Sequence, residues 1–159
     1  MIQTLLIISG AGMLLSILTG TRAPRLWLAC VLAGAASALG ASVVALTTAV
    51  GWDWHSNIIL GGEAIHLRLD ALSALFLALV GLVSGAGAVY SREYWSDTAH
   101  PRSARAGRVW WSVLVLCLGL ILLCSNGLHF LIAWEIFSVA AYFLVTLDRR
   151  SSNVRAAGW

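Results

Sequence analysis

The stretch LHFLIAWEIFSVAAYFLVTL, Leu128 to Leu147, decides how this chain is to be read. As a helix rising about 1.5 Å per residue, it is long enough to cross the roughly 30 Å hydrocarbon core of a bilayer. Its single acid is Glu135. An acidic residue at the centre of a membrane helix costs roughly 2.5–3.5 kcal/mol on insertion scales. Such a residue normally faces a partner or a water-filled cavity. Ser138, Tyr142 and Thr146 follow it on the same helix. At about 100° per residue, all three fall within about 60° of the Glu135 direction. A narrow polar stripe therefore runs down an otherwise apolar helix. Glu135 would lie about 10 Å from one end of the stretch and about 18 Å from the other. The competing reading is structural: an acid hydrogen-bonded to a neighbouring helix, with hydroxyls that bond the preceding turn or join helices.

Composition extends this reading to the whole chain. Of 159 residues, 60% are apolar and 11% charged, with a mean hydropathy of +0.87. Soluble domains are about half apolar and about a quarter charged, so a polytopic membrane protein is expected, as a single transmembrane unit. The net charge of +3 comes from ten arginines scattered between apolar runs, with no lysine, and is no nucleic-acid signature. Cys30, Cys117 and Cys124 all fall in apolar runs. An odd number of thiols in such positions reads as buried and inert, without disulfides or a metal site.

In chain order, Ile2–Leu18 is a first apolar run. No charge precedes Arg22, so it reads as a retained helix and not a signal peptide. Arg22, Pro24 and Arg25 form a short loop. A second run, about Leu26 to Val50, holds the small residues Gly34, Ala38, Gly40 and Ala41, which permit close helix packing. Trp27 lies at one end, with Trp52 and Trp54 at the other, as interfacial aromatics do. Between Gly51 and Arg68 the chain turns polar. His55, Glu63 and His66 are metal-ligating types, but their spacing matches no metal motif. The segment therefore reads as a solvated loop, and no metal is expected. Asp70 opens a third run, Leu69–Tyr90, where an acid suits the positive end of the helix dipole and caps it. Gly81 and Gly85 make a GxxxG. Gly85-Ala86-Gly87 is not a nucleotide loop, because no third glycine follows and no strand precedes it. Ser91–Arg108 reads as a charged loop, and Val109–Leu123 as a short fourth run anchored by Trp110 and Trp111. Ser125-Asn126-Gly127 turns into the fifth run. His129 lies near its entrance, about 120° from the Glu135 face. It reads as a hydrogen-bonded interfacial residue or a supporting proton-relay group.

Arginines give the sidedness. The first and third loops and the tail hold two, four and three, whereas the second loop holds one and the fourth none. The expectation is an all-α protein of about five transmembrane helices in the cytoplasmic (inner) membrane, multi-pass, with the N-terminus outside and the C-terminus cytoplasmic. Glu135 then falls in the outer half of the bilayer.

Three segments carry a family resemblance. Leu69-Asp70-Ala71-Leu72-Ser73 resembles the LDxLS opening of the third helix in antiporter-like subunits of respiratory complex I. Tyr90-Ser91-Arg92-Glu93-Tyr94-Trp95 resembles the YSxxYM segment ending that helix. Trp134-Glu135, Ser138 and Tyr142-Phe143-Leu144-Val145 resemble the fifth helix of the same superfamily, and are most similar to hydrogenase-4 component B and formate hydrogenlyase subunit 3. Multisubunit sodium/proton antiporter subunits are close relatives. The resemblance implies a proton-translocating membrane subunit with Glu135 as the intramembrane relay. In the family this acid pairs with a lysine on the seventh helix, and relatives continue through many more helices. This chain matches only the beginning of a family member and has no lysine. It is therefore expected to be the N-terminal part of a longer antiporter-like subunit. The implied partners are other membrane-arm subunits of a hydrogenase or complex I-like oxidoreductase, the lipid bilayer, and protons or Na⁺. Redox chemistry would belong to those partners, since no flavin, iron–sulfur or haem motif occurs here and no cofactor is expected. Two other readings stand beside this one. One is a small self-contained cation or drug/proton antiporter using Glu135 flanked by Trp134 and Tyr142. The other is a structural membrane-assembly subunit.

Overall fold

The computed structural model describes residues 1–101, 103–148 and 154. Arg102, Arg149, Arg150 and Arg155, which contribute to the sidedness reading, lie outside the described residues. Five helices form: α1 (Ile2–Thr19), α2 (Pro24–Thr48), α3 (Ala71–Tyr94), α4 (Ala104–Leu123) and α5 (Gly127–Val145). Each is long and apolar enough to cross a membrane. Local chemistry sets several of the ends. Pro24 sits at the start of α2, where its missing N–H costs nothing. The Asp70 carboxylate accepts the Ser73 amide at 2.8 Å to begin α3. The Asn126 side-chain carbonyl accepts the Leu128 amide at 2.8 Å to begin α5.

Two elements depart from the sequence expectation at the charged end. α3 continues to Tyr94, and α4 begins at Ala104 rather than near Val109. Much of the expected Ser91–Arg108 loop is therefore helical. Arg108 anchors this end. Its guanidinium grips both Asp97 carboxylate oxygens at 3.0 Å, and its Nε donates to the Gly20 carbonyl at 2.7 Å. The bidentate pair joins the α3–α4 connection to the end of α1, with Arg108 carried on α4.

The second departure is larger. The all-α expectation fails between Gly51 and Asp70, where an antiparallel hairpin replaces the solvated loop. Strand β1 (Trp52–Leu60) pairs with β2 (Glu63–Leu69), in register from Trp52 opposite Leu69 to Leu60 opposite Glu63, with an irregularity between His55 and Ile59. Gly61 and Gly62, at φ +65° and +91°, form the two-residue turn. A two-residue hairpin turn of type I′ has positive φ at both centres, which glycine accepts without strain. Trp52 and Trp54 point inward and Asp53 and His55 outward, following the alternation of a strand.

α1 packs on α2, α2 on α3, and α4 on α5, while α4 also returns to α1 and α3. The small residues of α2 make the closest crossings. A Cβ added at Gly12 would lie 2.9 Å from the Cys30 carbonyl oxygen, and one at Gly81 would lie 3.0 Å from that of Ala35. Backbones meet where side chains are absent, the usual basis of helix association in lipid. Trp27 is buried and donates its indole N–H to Ser112 at 2.9 Å, tying α2 to α4. The inner face of the hairpin, Trp52, Trp54 and Leu67, roofs an apolar cavity of about 300 Å³ lined by α1, α2, α3 and α4.

The loops sort to two ends. At one end Arg108 links the α1–α2 and α3–α4 connections, and Leu147, just beyond α5, comes within 3.2 Å of where a Gly107 side chain would begin. At the other the hairpin meets the α4–α5 turn, where the Ser125 amide donates to the His66 carbonyl at 3.1 Å. This is the arrangement five alternating spans require.

Candidate functional site

α5 is the outermost helix of the bundle. Its buried residues are His129, Ala133 and Ala140, which turn toward the rest of the molecule. Trp110 of α4 stacks on Phe143 at 4.2 Å and fixes this seating. Glu135 lies nearly opposite that buried face, eight residues after Gly127 and ten before Val145, and its side chain is exposed. Among the described residues it makes no ion pair or hydrogen bond. A carboxylate midway along an apolar helix is thus presented on the face of the bundle that α1–α4 do not cover.

The other members of the stripe divide. Ser138 is exposed beside Glu135, and its hydroxyl donates to the Trp134 carbonyl at 2.9 Å. Tyr142 is exposed on the same face and meets Phe143 edge-on at 5.5 Å. Thr146 is buried, and its hydroxyl donates to the Tyr142 carbonyl at 2.8 Å. Both hydroxyls therefore satisfy their own helix. Phe130 and Trp134, then Trp134 and Phe137, form an aromatic row beside the carboxylate.

His129 is 6% exposed, and its Nε2 lies 3.2 Å from the Leu60 carbonyl at the hairpin tip. Its Nδ1 has no hydrogen-bond partner among the described residues. The ring fastens α5 to the hairpin. Asn126 adds a second fastening, donating to Glu63 Oε2 at 3.3 Å. Asp70 sits at the same end of the molecule, with its carboxyl below the usual carboxylate range chiefly because the Ser73 amide hydrogen-bonds the charged form.

The hairpin carries a group of side chains that spacing alone does not reveal. His55 and His66 are cross-strand partners, and Asp53 shares their face, two residues before His55. His55 Nδ1 lies 3.0 Å from Asp53 Oδ1, and His66 Nε2 lies 3.1 Å from Asp53 Oδ2. The two imidazoles stack with centroids 3.7 Å apart. The Asp53 carboxyl is held below its ordinary value, first by the hydrogen bond from His66 and then by the charges of His66, His55 and Arg68, with burial acting against them. Glu63, grouped with the two histidines in the sequence, instead stands at the turn beside Asn126. Alternation along a strand is the signal that finds Asp53, once the segment is recognised as a hairpin.

No family model matches the chain. Two uncharacterized proteins of Mycobacterium tuberculosis, from strains CDC 1551 and H37Rv, are each 31% identical to it over 107 residues. The match covers 65% of this chain and spans only 16% of each relative's length.

Proposed function

We propose that this chain is the N-terminal portion of an antiporter-like, proton-translocating membrane subunit, with Glu135 as its intramembrane relay. The carrying observation is the Glu135 carboxylate, mid-span, exposed and unpaired among the described residues. A bare carboxylate facing lipid is too costly to persist, so its face must be covered by something polar or cationic. The chain contains no lysine, and its arginines lie outside the apolar interiors of the five helices. In this proposal the cover is a cation on a helix outside these 159 residues. When that cation is close, the carboxylate stays charged, and when it withdraws, proton uptake is favoured. Resemblance of the α3 segments to antiporter-like subunits of complex I, and of the α5 segment to hydrogenase-4 component B and formate hydrogenlyase subunit 3, supports this reading. So does the far greater length of the mycobacterial relatives. In this proposal the five helices are inserted in the cytoplasmic membrane beside other membrane-arm subunits, and redox chemistry belongs to those partners.

The test is Glu135→Gln in the native assembly, with membrane content of the complex measured beside proton pumping in vesicles. Gln keeps the shape of the side chain but carries no proton and no charge. Normal assembly with pumping lost is the expected result. Normal assembly with normal pumping would remove Glu135 from the mechanism. Lost assembly would mark Glu135 as one half of a structural pair, since breaking a buried ion pair costs roughly 3–5 kcal/mol.

A further inference from the structure

We propose that Asp53, His55 and His66 form a divalent transition-metal site that clamps the two strands of the hairpin. Strand geometry supplies the convergence. Residues two apart on one strand share a face, and a direct cross-strand partner joins them there. The three ligand atoms all lie within 4.8 Å of one another. With Asp53 Oδ1 as the carboxylate ligand, the separations to His55 Nδ1 and His66 Nε2 are 3.0 and 3.2 Å. Ligand atoms held at about 2.0–2.2 Å from a tetrahedral ion sit about 3.3–3.6 Å apart, so spreading by a few tenths of an ångström admits the ion. The side chains are free to spread: His55 is 66% exposed, Asp53 52% and His66 29%.

The donor set selects the class of ion. Two imidazoles and one carboxylate suit Zn²⁺, Ni²⁺, Cu²⁺ and their neighbours, whereas Ca²⁺ and Mg²⁺ require oxygen ligands. Three protein ligands leave a fourth position for water. The stacked rings need a small rotation to converge their lone pairs. Arg68, opposite Asp53 in the register, adds a positive charge that opposes the ion and limits affinity. Without metal, His66 Nε2 hydrogen-bonds the Asp53 carboxylate, and His55 Nδ1 lies 3.0 Å from Asp53 Oδ1. With metal, each ligating nitrogen presents its lone pair and the ring N–H moves to the other nitrogen, so acid competes with the ion for those lone pairs. The ion would bridge β1 and β2 beside the irregularity after His55, where pairing is interrupted. It would thereby stiffen the roof over the apolar cavity. This inference stands apart from the transport reading, because it uses no residue of α5.

The experiment uses the 159-residue chain in nanodiscs, stripped with chelator and titrated with Co²⁺ at pH 7.5, followed by displacement with Zn²⁺. One equivalent of Co²⁺ is expected, with visible absorption that Zn²⁺ abolishes. His55→Gln and His66→Gln should each weaken binding by roughly tenfold or more, the least that losing a direct ligand should cost. His100→Gln, at the opposite end of the molecule, should leave it unchanged. Binding at pH 5 should be at least tenfold weaker. A second measurement uses the unaltered protein: Zn²⁺ should protect His55 and His66, but not His100, from diethyl pyrocarbonate. Absence of saturable binding, binding that survives in both histidine variants with native circular dichroism, or equal labelling with and without Zn²⁺ would each overturn the site.

Discussion

At the scale of single residues, charge placement dominates, and Asp70 shows how a small group can be read with its sign. Its carboxylate caps α3 through the Ser73 amide. Asp70→Ala should cost about 0.5–2 kcal/mol, the usual worth of such a cap. The folded-state carboxyl titrates below its ordinary value of 3.8. A group lowered in this way contributes fully above its unfolded value and loses that contribution as pH falls through the lower folded value. The wild-type protein should therefore outlast the variant at pH 7, and the two should converge as the pH drops below about 4. Thermal melts in one detergent at pH 7 and pH 3 measure both gaps. An equal gap at the two values would mean that the carboxylate is not the cap. Glu135 and Asp70 were legible in the sequence because an acid among apolar residues has few places to go. The hydrogen bonds of Ser138 and Thr146 to their own helix were not, because a hydroxyl chooses between its helix and a neighbour by rotamer, which spacing does not encode.

At the scale of elements, the five helices follow from hydrophobic length: α1, α2 and α5 match their expected runs to within two residues, while α3 and α4 extend into the charged connection between them. The hairpin does not, because its polar composition resembles a solvated loop. Its alternation of Trp52, Asp53, Trp54 and His55 and its Gly61-Gly62 turn are strand signals that composition conceals. Helix crossings were partly legible. The small residues of α2 announced close packing, but Gly12 of α1, which meets the α2 backbone, gave no distinct signal beside Gly10. The structure separates the two. A Cβ at Gly12 would meet the Cys30 carbonyl oxygen at 2.9 Å and the Gly34 Cα at 3.1 Å, whereas one at Gly10 would meet nothing within 4 Å. Gly12→Leu should therefore force α1 from α2 and destabilise by about 1–3 kcal/mol or more, as overpacking does. Gly10→Ala should be neutral within about 0.5 kcal/mol. Unfolding midpoints of the two variants in mixed micelles check the contrast, and equal midpoints would refute the crossing.

At the scale of the whole molecule, sidedness decides which end of the bundle faces the cytoplasm. The fold places Arg22, Arg25, Arg92, Arg105 and Arg108 at the end shared by the α1–α2 and α3–α4 connections, and Arg68 at the hairpin end. Basic residues in short loops are retained on the cytoplasmic side. The hairpin, with Asp53, His55 and His66, should then face outward, and Glu135 should lie slightly nearer the outer surface than the inner. Single cysteines introduced at Asn57 and at Thr98, both exposed, report on opposite ends. The background should lack Cys30, Cys117 and Cys124, so that each signal has one source. In intact cells a membrane-impermeant maleimide should label the Asn57→Cys variant, and label Thr98→Cys only after permeabilisation. The reverse pattern would invert the protein and place its arginine-rich end outside. Labelling of both positions in intact cells would be incompatible with five spans. The hairpin makes the measurement decisive, because its contacts with the α4–α5 turn require that turn to share its side of the membrane. One labelled position on the hairpin thus fixes two connections at once.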